Sequence, residues 1–268
     1  MKDDICNICG RTEYRPVLRI NKDTLIVKCS GCNTARTYPY PGFNFTEQEK
    51  YSKFYLDNEK MFRMFASSMM DVLRAHKSSG SILDIGCSVG YLLDAAKSAG
   101  FTSTCGIELN REAARVSRDK GHVIYEKPLE ELGLEKGKYS VIVFNHVLEH
   151  IPHMKPFLSE VKNILKDDGI IYCGAPNYNS LMQRWLRSRW YGWGMPDHVW
   201  HFEVSTFRAA LENNGFRTKE LVQNAMYYPY SKSLRKNTRA TVARLAGSLG
   251  LGDQVYGIFL KDSQDSHI

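Results

Sequence analysis

Ten residues constrain this chain more than any others: Ser81-Ile-Leu-Asp-Ile-Gly-Cys-Ser-Val-Gly90, an apolar run that carries a carboxylate, breaks into glycines and restarts at helical period in Tyr91-Leu-Leu-Asp-Ala-Ala-Lys97. Ile82, Leu83 and Ile85 read as a buried strand, while Gly86 and Gly90 let the backbone turn tightly against a ligand. The next apolar run, Thr104-Cys-Gly-Ile-Glu108, closes on an acid, and in βαβ nucleotide sites an acid so placed accepts the ribose hydroxyls. A bound nucleoside is implied. Strands are expected near 81–85, 103–108, 122–125, 139–145 and 169–174, with helices near 90–99, 110–120 and 155–166. Such alternation predicts a doubly wound parallel sheet. Asn110 suits the N-cap of the second of these helices and Gly121 the turn beyond its end. Further on, a strand is expected from Gly215, a basic helix near 232–247 and a last strand over 253–261.

Charge decides which nucleoside. A dinucleotide site offers bare N–H groups at a helix N-terminus to a pyrophosphate and spells G-x-G-x-x-G. This loop spells Asp84-x-Gly86-x-x-x-Gly90, and a carboxylate at its entrance repels phosphate but suits a ligand carrying an ammonium and a sulfonium. S-adenosylmethionine (SAM) meets that description. Leu83-Asp-Ile-Gly-Cys-Ser-Val-Gly90 and Val143-Phe-Asn-His-Val-Leu-Glu-His-Ile-Pro152 resemble the class I SAM-dependent methyltransferases. The most similar subgroup is methyltransferase-23-like, with an N-terminal zinc ribbon and a Trp-rich segment before a Pro-x-His-x-x-x-Phe stretch. It is distantly similar to the quinone-pathway O-methyltransferases. Ser88 departs from the family loop, which often has a third glycine, and its small side chain still lets a ligand approach. The resemblance covers nearly the whole chain. It implies an α/β fold, a doubly wound seven-stranded Rossmann-like sheet with an antiparallel last strand and a small N-terminal zinc ribbon. Candidate cofactor-binding residues are Asp84, Gly86, Cys87, Gly90, Tyr91, Glu108, Leu109, Leu129 and Asn145.

At 268 residues, 43% of them hydrophobic, the chain is long enough for one α/β domain and a small appendage. No apolar stretch reaches membrane-spanning length and the start lacks a signal-peptide apolar region, so a cytoplasmic setting is expected. Four of the seven cysteines form Cys6-x-x-Cys9 and Cys29-x-x-Cys32, the spacing at which two knuckles hold one structural zinc. Four protein ligands leave no open position for catalysis by that metal. The residues between them, from Tyr14 to Val27, alternate as a hairpin does. Three units follow: a zinc ribbon over 1–40, a linker and N-terminal helices over 41–80, and a SAM-binding domain over 81–268. The aromatic and Met-rich helix from about Glu59 to Lys77 is expected to pack on the sheet.

The methyl group is expected at the end of the fourth strand, where ligands of open α/β sheets sit. His146, Glu149 and His150 follow that end directly, and the candidate general base is His150, with His201 second. His146, Glu149 and His150 would also share one face of a helical turn, and His198 and His201 extend the set toward a second metal. Some quinone-pathway enzymes carry a cation-binding Glu-x-x-Glu-His stretch that this resembles, with His146 replacing the first Glu. All four tryptophans lie within sixteen residues, Trp185, Trp190, Trp193 and Trp200, among Arg184, Arg187 and Arg189, in an expected lid over 177–203. Tyr178, Trp193, His198 and Trp200 are the candidate substrate residues. This segment suits a sugar or planar acceptor, a peripheral membrane contact, or RNA, or else simply packs its own aromatics.

With a net charge of +7 and arginines enriched over 184–244, phosphate-bearing acceptors are in reach. By resemblance, the expected function is methyl transfer from SAM to a small-molecule, sugar or lipid-linked glycan acceptor. The alternatives are an rRNA or tRNA methyltransferase that holds RNA with ribbon and lid, and a SAM-binding docking module without catalysis. Intact Asp84, Gly86, Gly90 and Glu108 speak against the last.

Overall fold

Short alternating segments at the N-terminus form a meander of β1 (Tyr14–Arg19), β2 (Leu25–Cys29) and β3 (Ala35–Tyr38). In the computed structural model, residues 5–40, 42, 49–194, 197–225, 238, 241–242 and 245–262 are described. Pro196 and most of the helix expected near 232–247 lie outside the described residues. Two helices follow the meander, α1 (Glu49–Asp57) and α2 (Glu59–His76). The alternating region then comprises β4 (Ser81–Ile85), α3 (Tyr91–Ser98), β5 (Ser103–Ile107), α4 (Arg111–Asp119), β6 (Val123–Tyr125), β7 (Tyr139–Asn145), α5 (Met154–Ile164) and β8 (Leu165–Pro176). The lid segment holds α6 (Leu181–Leu186) and β9 (Trp200–His201), and α7 (Val204–Glu212), β10 (Phe216–Asn224) and β11 (Gln254–Lys261) close the described fold.

The main sheet has seven strands in the order β10-β11-β8-β7-β4-β5-β6. Strands β4 to β8 run parallel, and β11 lies antiparallel between β8 and β10. Continuous apolar runs such as Val141-Ile-Val-Phe144 are what a strand covered on both faces requires, and all four residues are buried. One face carries α5 and α7 through Phe157, Leu158, Phe207 and Leu211; the other carries α2 and α3 through Met70, Leu73, Leu92 and Ala96. Asn110 caps α4 by accepting from the Ala113 N–H at 3.1 Å, a contact worth about 1 kcal/mol. Strand β8 begins earlier than the 169–174 span read from the sequence. Its exposed Lys166, Asp167 and Asp168 resemble a turn, yet Leu165 pairs with Tyr139 across a register shift.

The ribbon sheet is completed from the far end of the chain. Its order is β1-β2-β3-β9, with Ala35 opposite His201 and Arg36 opposite Trp200. Cys6, Ile8 and Cys29 belong to the same buried cluster as Leu83, Ile142 and Trp200. Ribbon and lid are therefore joined by backbone hydrogen bonds and by a shared core. Among the described residues no helix is long and apolar enough to cross a membrane.

Candidate functional site

The strand order reverses between β4 and β7, and the loops leaving their carboxyl ends define the crevice where such sheets bind ligands. Gly86 turns at φ 76°, and a Cβ there would stand 2.7 Å from Val147 Cγ2, so the two loops touch. Gly90 takes φ 83° at the start of α3. Ser88 is also left-handed, at φ 48°, which explains why related loops favour glycine at that position. Its buried hydroxyl faces the Tyr51 side chain of α1.

Two buried carboxylates line this cradle. Glu108 accepts from Ser88 N at 2.8 Å and from Asn110 N at 2.7 Å. Burial raises its pKa, against the pull of the Asn110, Ser88 and Leu109 N–H groups. Asp84 is pushed up to about 8, by burial first and by the charge of Glu108 second. Tyr51 and Tyr55 of α1 pair at 5.0 Å between ring centroids, and burial and Glu108 both push the Tyr51 hydroxyl up. Neither tyrosine was singled out in the sequence, where only the helix over 59–77 was expected to pack on the sheet. Among the other candidates, Cys87 is buried against Gly106, and Tyr91 is buried at the start of α3 beneath Arg63 and Lys120. Leu109 is half-buried, Leu129 is buried in a short 3-10 turn, and Asn145 ends β7 beside Gly174. Two buried acids beside a glycine loop fit the nucleoside, ammonium and sulfonium of SAM better than a phosphate.

Beyond β7 the chain does not continue as the helical face read from the spacing. His146 takes φ 56°, and only Leu148–His150 makes a 3-10 turn. This divides the set. His146 Nδ1 bonds Glu149 Oε1 at 3.1 Å, while Glu149, His150 and His198 bring one ligand atom each within 4.8 Å of one another. Glu149 is 1% exposed and its Oε2 has no hydrogen-bond partner. Burial opposes its charge, but the His146 hydrogen bond and the neighbouring rings outweigh this and lower its pKa to about 2. His146 is raised: burial works against protonation and Glu149 outweighs it.

The ring tautomers follow from their partners. His150 Nδ1 lies 3.2 Å from Asp197 O and His198 Nδ1 3.0 Å from Gly192 O. A carbonyl only accepts, so each Nδ1 carries the proton and the lone pair sits on Nε2. Gly194 permits the His198 position, since a Cβ there would stand 2.3 Å from the ring. Burial lowers the His198 pKa to about 4 and holds His201 well below the ordinary histidine range. His201 is anchored by the ribbon. The Thr37 hydroxyl donates to His198 O at 2.7 Å, so His201 Nε2, 3.0 Å away, must donate to Thr37 Oγ1. Thr37 was not singled out in the sequence, because its partner lies 164 residues away.

Three of the four lid tryptophans are packed inward: Trp190, Trp193 and Trp200 are buried, and Trp185 is 51% exposed. Trp200 donates to Ile151 O at 3.0 Å and helps wall a groove of about 870 Å³ between the ribbon and the segment after Ile151. Tyr178 and Trp193 stack at 6.3 Å, and the Trp193 ring meets His201 edge-on at 5.0 Å. In the ribbon, Cys6 and Cys32 sulfurs stand 3.5 Å apart and those of Cys9 and Cys29 3.4 Å apart, all four within 4.8 Å of one another. Thiolates tetrahedral at 2.3 Å from one zinc have edges of about 3.8 Å, so the set fits that ion.

A family model described as a methyltransferase domain matches residues 58–221. An uncharacterized protein of Methanocaldococcus jannaschii is 25% identical over 134 residues, 50% of this chain and 61% of its own length. The ubiquinone biosynthesis O-methyltransferase of Glaesserella parasuis is 29% identical over 107 residues, 36% of this chain and 45% of its own length. The chain thus spans about half the length of these curated relatives. A SAM-dependent methyltransferase structure from Archaeoglobus fulgidus superposes with TM-score 0.58 at 20% identity, over 78% of this chain and 99% of that one. Magnesium protoporphyrin IX methyltransferase of Synechocystis with bound SAH gives 0.51 at 15%, over 75% and 83%. These structures share the fold, and the family match carries the assignment: this chain belongs to the methyltransferase domain family, of the class I SAM-dependent type.

Proposed function

We propose that the chain transfers a methyl group from SAM to a small-molecule, sugar or lipid-linked glycan acceptor. The observation that carries the cofactor half is the pair of buried acids, Asp84 and Glu108, beside the glycine loop that follows β4. Bound SAM supplies an activated methyl carbon. The chain then has to orient the acceptor and, where the acceptor keeps its proton, remove it. His150 takes that proton on Nε2, the nitrogen its hydrogen bond to Asp197 O leaves basic. Glu149, held by His146, stabilises the resulting imidazolium. The buried lid supports a small acceptor over RNA: base stacking needs exposed rings, and only Trp185 of the four tryptophans is exposed.

A second reading has one observation in its favour. The unpartnered Glu149 Oε2 and the lone pairs of His150 and His198 converge as three ligands would around a divalent cation. Turnover lost on mild chelation and restored by an added divalent ion, with the ribbon zinc retained throughout, would establish it. In the ribbon itself we propose a structural zinc on Cys6, Cys9, Cys29 and Cys32. The acceptor class is tested by incubating the protein with methyl-labelled SAM and a cell extract. Label in small-molecule, glycan or lipid fractions is expected; label removed by RNase would overturn the acceptor assignment.

A further inference from the structure

At the Tyr178–Trp193 stack, ribbon and lid line an open cleft of about 430 Å³. Its cationic lining comes from both: Arg15 and Lys28 from β1 and β2, Arg184 from α6 and Arg187 just after it. No carboxylate lines it. Among the described residues none of the four cations enters an ion pair with an acid. Four like charges facing one concavity repel one another, and a fold keeps such an arrangement at a cost unless an anion relieves it.

The floor is aromatic. Lys28 Nζ lies 5.0 Å above the Tyr178 ring, and Tyr178 stacks on Trp193 at an interplanar angle of 25°. The rim is strained. Arg187 takes φ 50° and ψ −121°, a conformation costly for any residue with a Cβ, while its carbonyl accepts from Trp193 Nε1 at 2.8 Å. Arg184 is steadied by Asn179 Oδ1 at 3.1 Å. The volume is that of a small-ligand pocket, whereas a nucleic acid strand or a bilayer calls for an extended surface.

We propose that this cleft binds a phosphate or diphosphate ester, with the cations on its phosphoryl oxygens and its organic part against the apolar lining at exposed Val17 and half-buried Leu18. That such an ester is the methyl acceptor rests on the function proposed above; the binding itself does not. Guanidinium groups suit this task because their forked N–H donors match phosphoryl oxygens. The ester can reach the cleft free in solution or as the headgroup of a lipid, and the two sources are separable.

The full-length, zinc-loaded protein is titrated calorimetrically, without SAM, with a nucleoside diphosphate sugar, with inorganic pyrophosphate, and with phosphatidylcholine vesicles containing or lacking phosphatidic acid. Saturable one-to-one binding of the soluble ester, weakening with salt, is expected. Binding of the acidic vesicles alone would identify the ester as lipid-borne, provided the variants below weaken it. Arg187→Gly removes one cation at a φ that glycine adopts freely, and Lys28→Met keeps the stem without the charge, so neither threatens folding. Each should weaken binding about tenfold. Absence of binding by every phosphate-bearing probe, or binding that both variants leave unchanged, overturns the proposal. So does binding confined to a single-stranded RNA oligonucleotide, run as a further arm. Because SAM is absent, none of these outcomes depends on methyl transfer.

Discussion

Asp84 is the residue through which pH reaches the cofactor site. Its carboxyl is held at about 8, and a cationic ligand selects the ionised form. Below pH 8 each unit of acid therefore weakens SAM binding by about tenfold, with uptake of a proton by the free protein. The α-amino group of the ligand titrates over the same range, near 7.7–8.0, so affinity passes through a maximum near pH 8 and declines above it. Calorimetry from pH 6 to 9, in buffers of differing ionisation enthalpy, reads both limbs. At the acceptor side, His150→Ala should leave SAM affinity unchanged and lower turnover by roughly 10²–10⁴-fold. His146→Ala acts differently. It strips the buried Glu149 carboxylate of its His146 donor, and leaving a buried acceptor unsatisfied in this way costs about 1–3 kcal/mol, read as a lower urea midpoint at unchanged slope.

At the scale of elements, β3 connects the cysteine knuckles to the histidines. One knuckle, Cys29 to Cys32, precedes β3, and Thr37 within it holds both His198 O and His201 Nε2. The glycine-loop cradle is built from β4, β5 and the loops that follow them. Removing zinc, by chelation or by Cys29→Ser, is expected to abolish turnover while SAM still binds. Thr37→Val makes the same point without touching the metal. It leaves a buried imidazole N–H unpaired, so turnover should fall, with Thr37→Ser restoring it. Turnover unchanged in Thr37→Val would remove the ribbon from the reaction. Elements that depend on local pattern were legible in advance: β4 and β7 are continuous apolar runs, and Asn110 announced the start of α4. The turn at His146 was not, because its positive φ breaks the i, i+3, i+4 geometry that the spacing implies. Nor was the approach of His150 to the Asp197 carbonyl, 47 residues on. Composition marked the tryptophan cluster but carries no record of which rings face inward; that is set by β9 joining the ribbon sheet.

Over the whole molecule, the sheet order places one ligand crevice at the β4–β7 reversal and hangs two further devices on it. The ribbon and lid share a four-stranded sheet, so that the N-terminal cysteines and the segment after β8 form one roof. The net charge of +7 is concentrated in part on that roof, where Arg15, Lys28, Arg184 and Arg187 meet. The cradle between β4 and β5 is proposed to bind SAM through Glu108 and Asp84. Titration of SAM into the full-length protein at pH 8, beside Glu108→Ala, tests it most directly. One equivalent of SAM bound by the native protein, at least tenfold weaker in Glu108→Ala, is the predicted result. No binding, or equal affinity in both proteins, would contradict it.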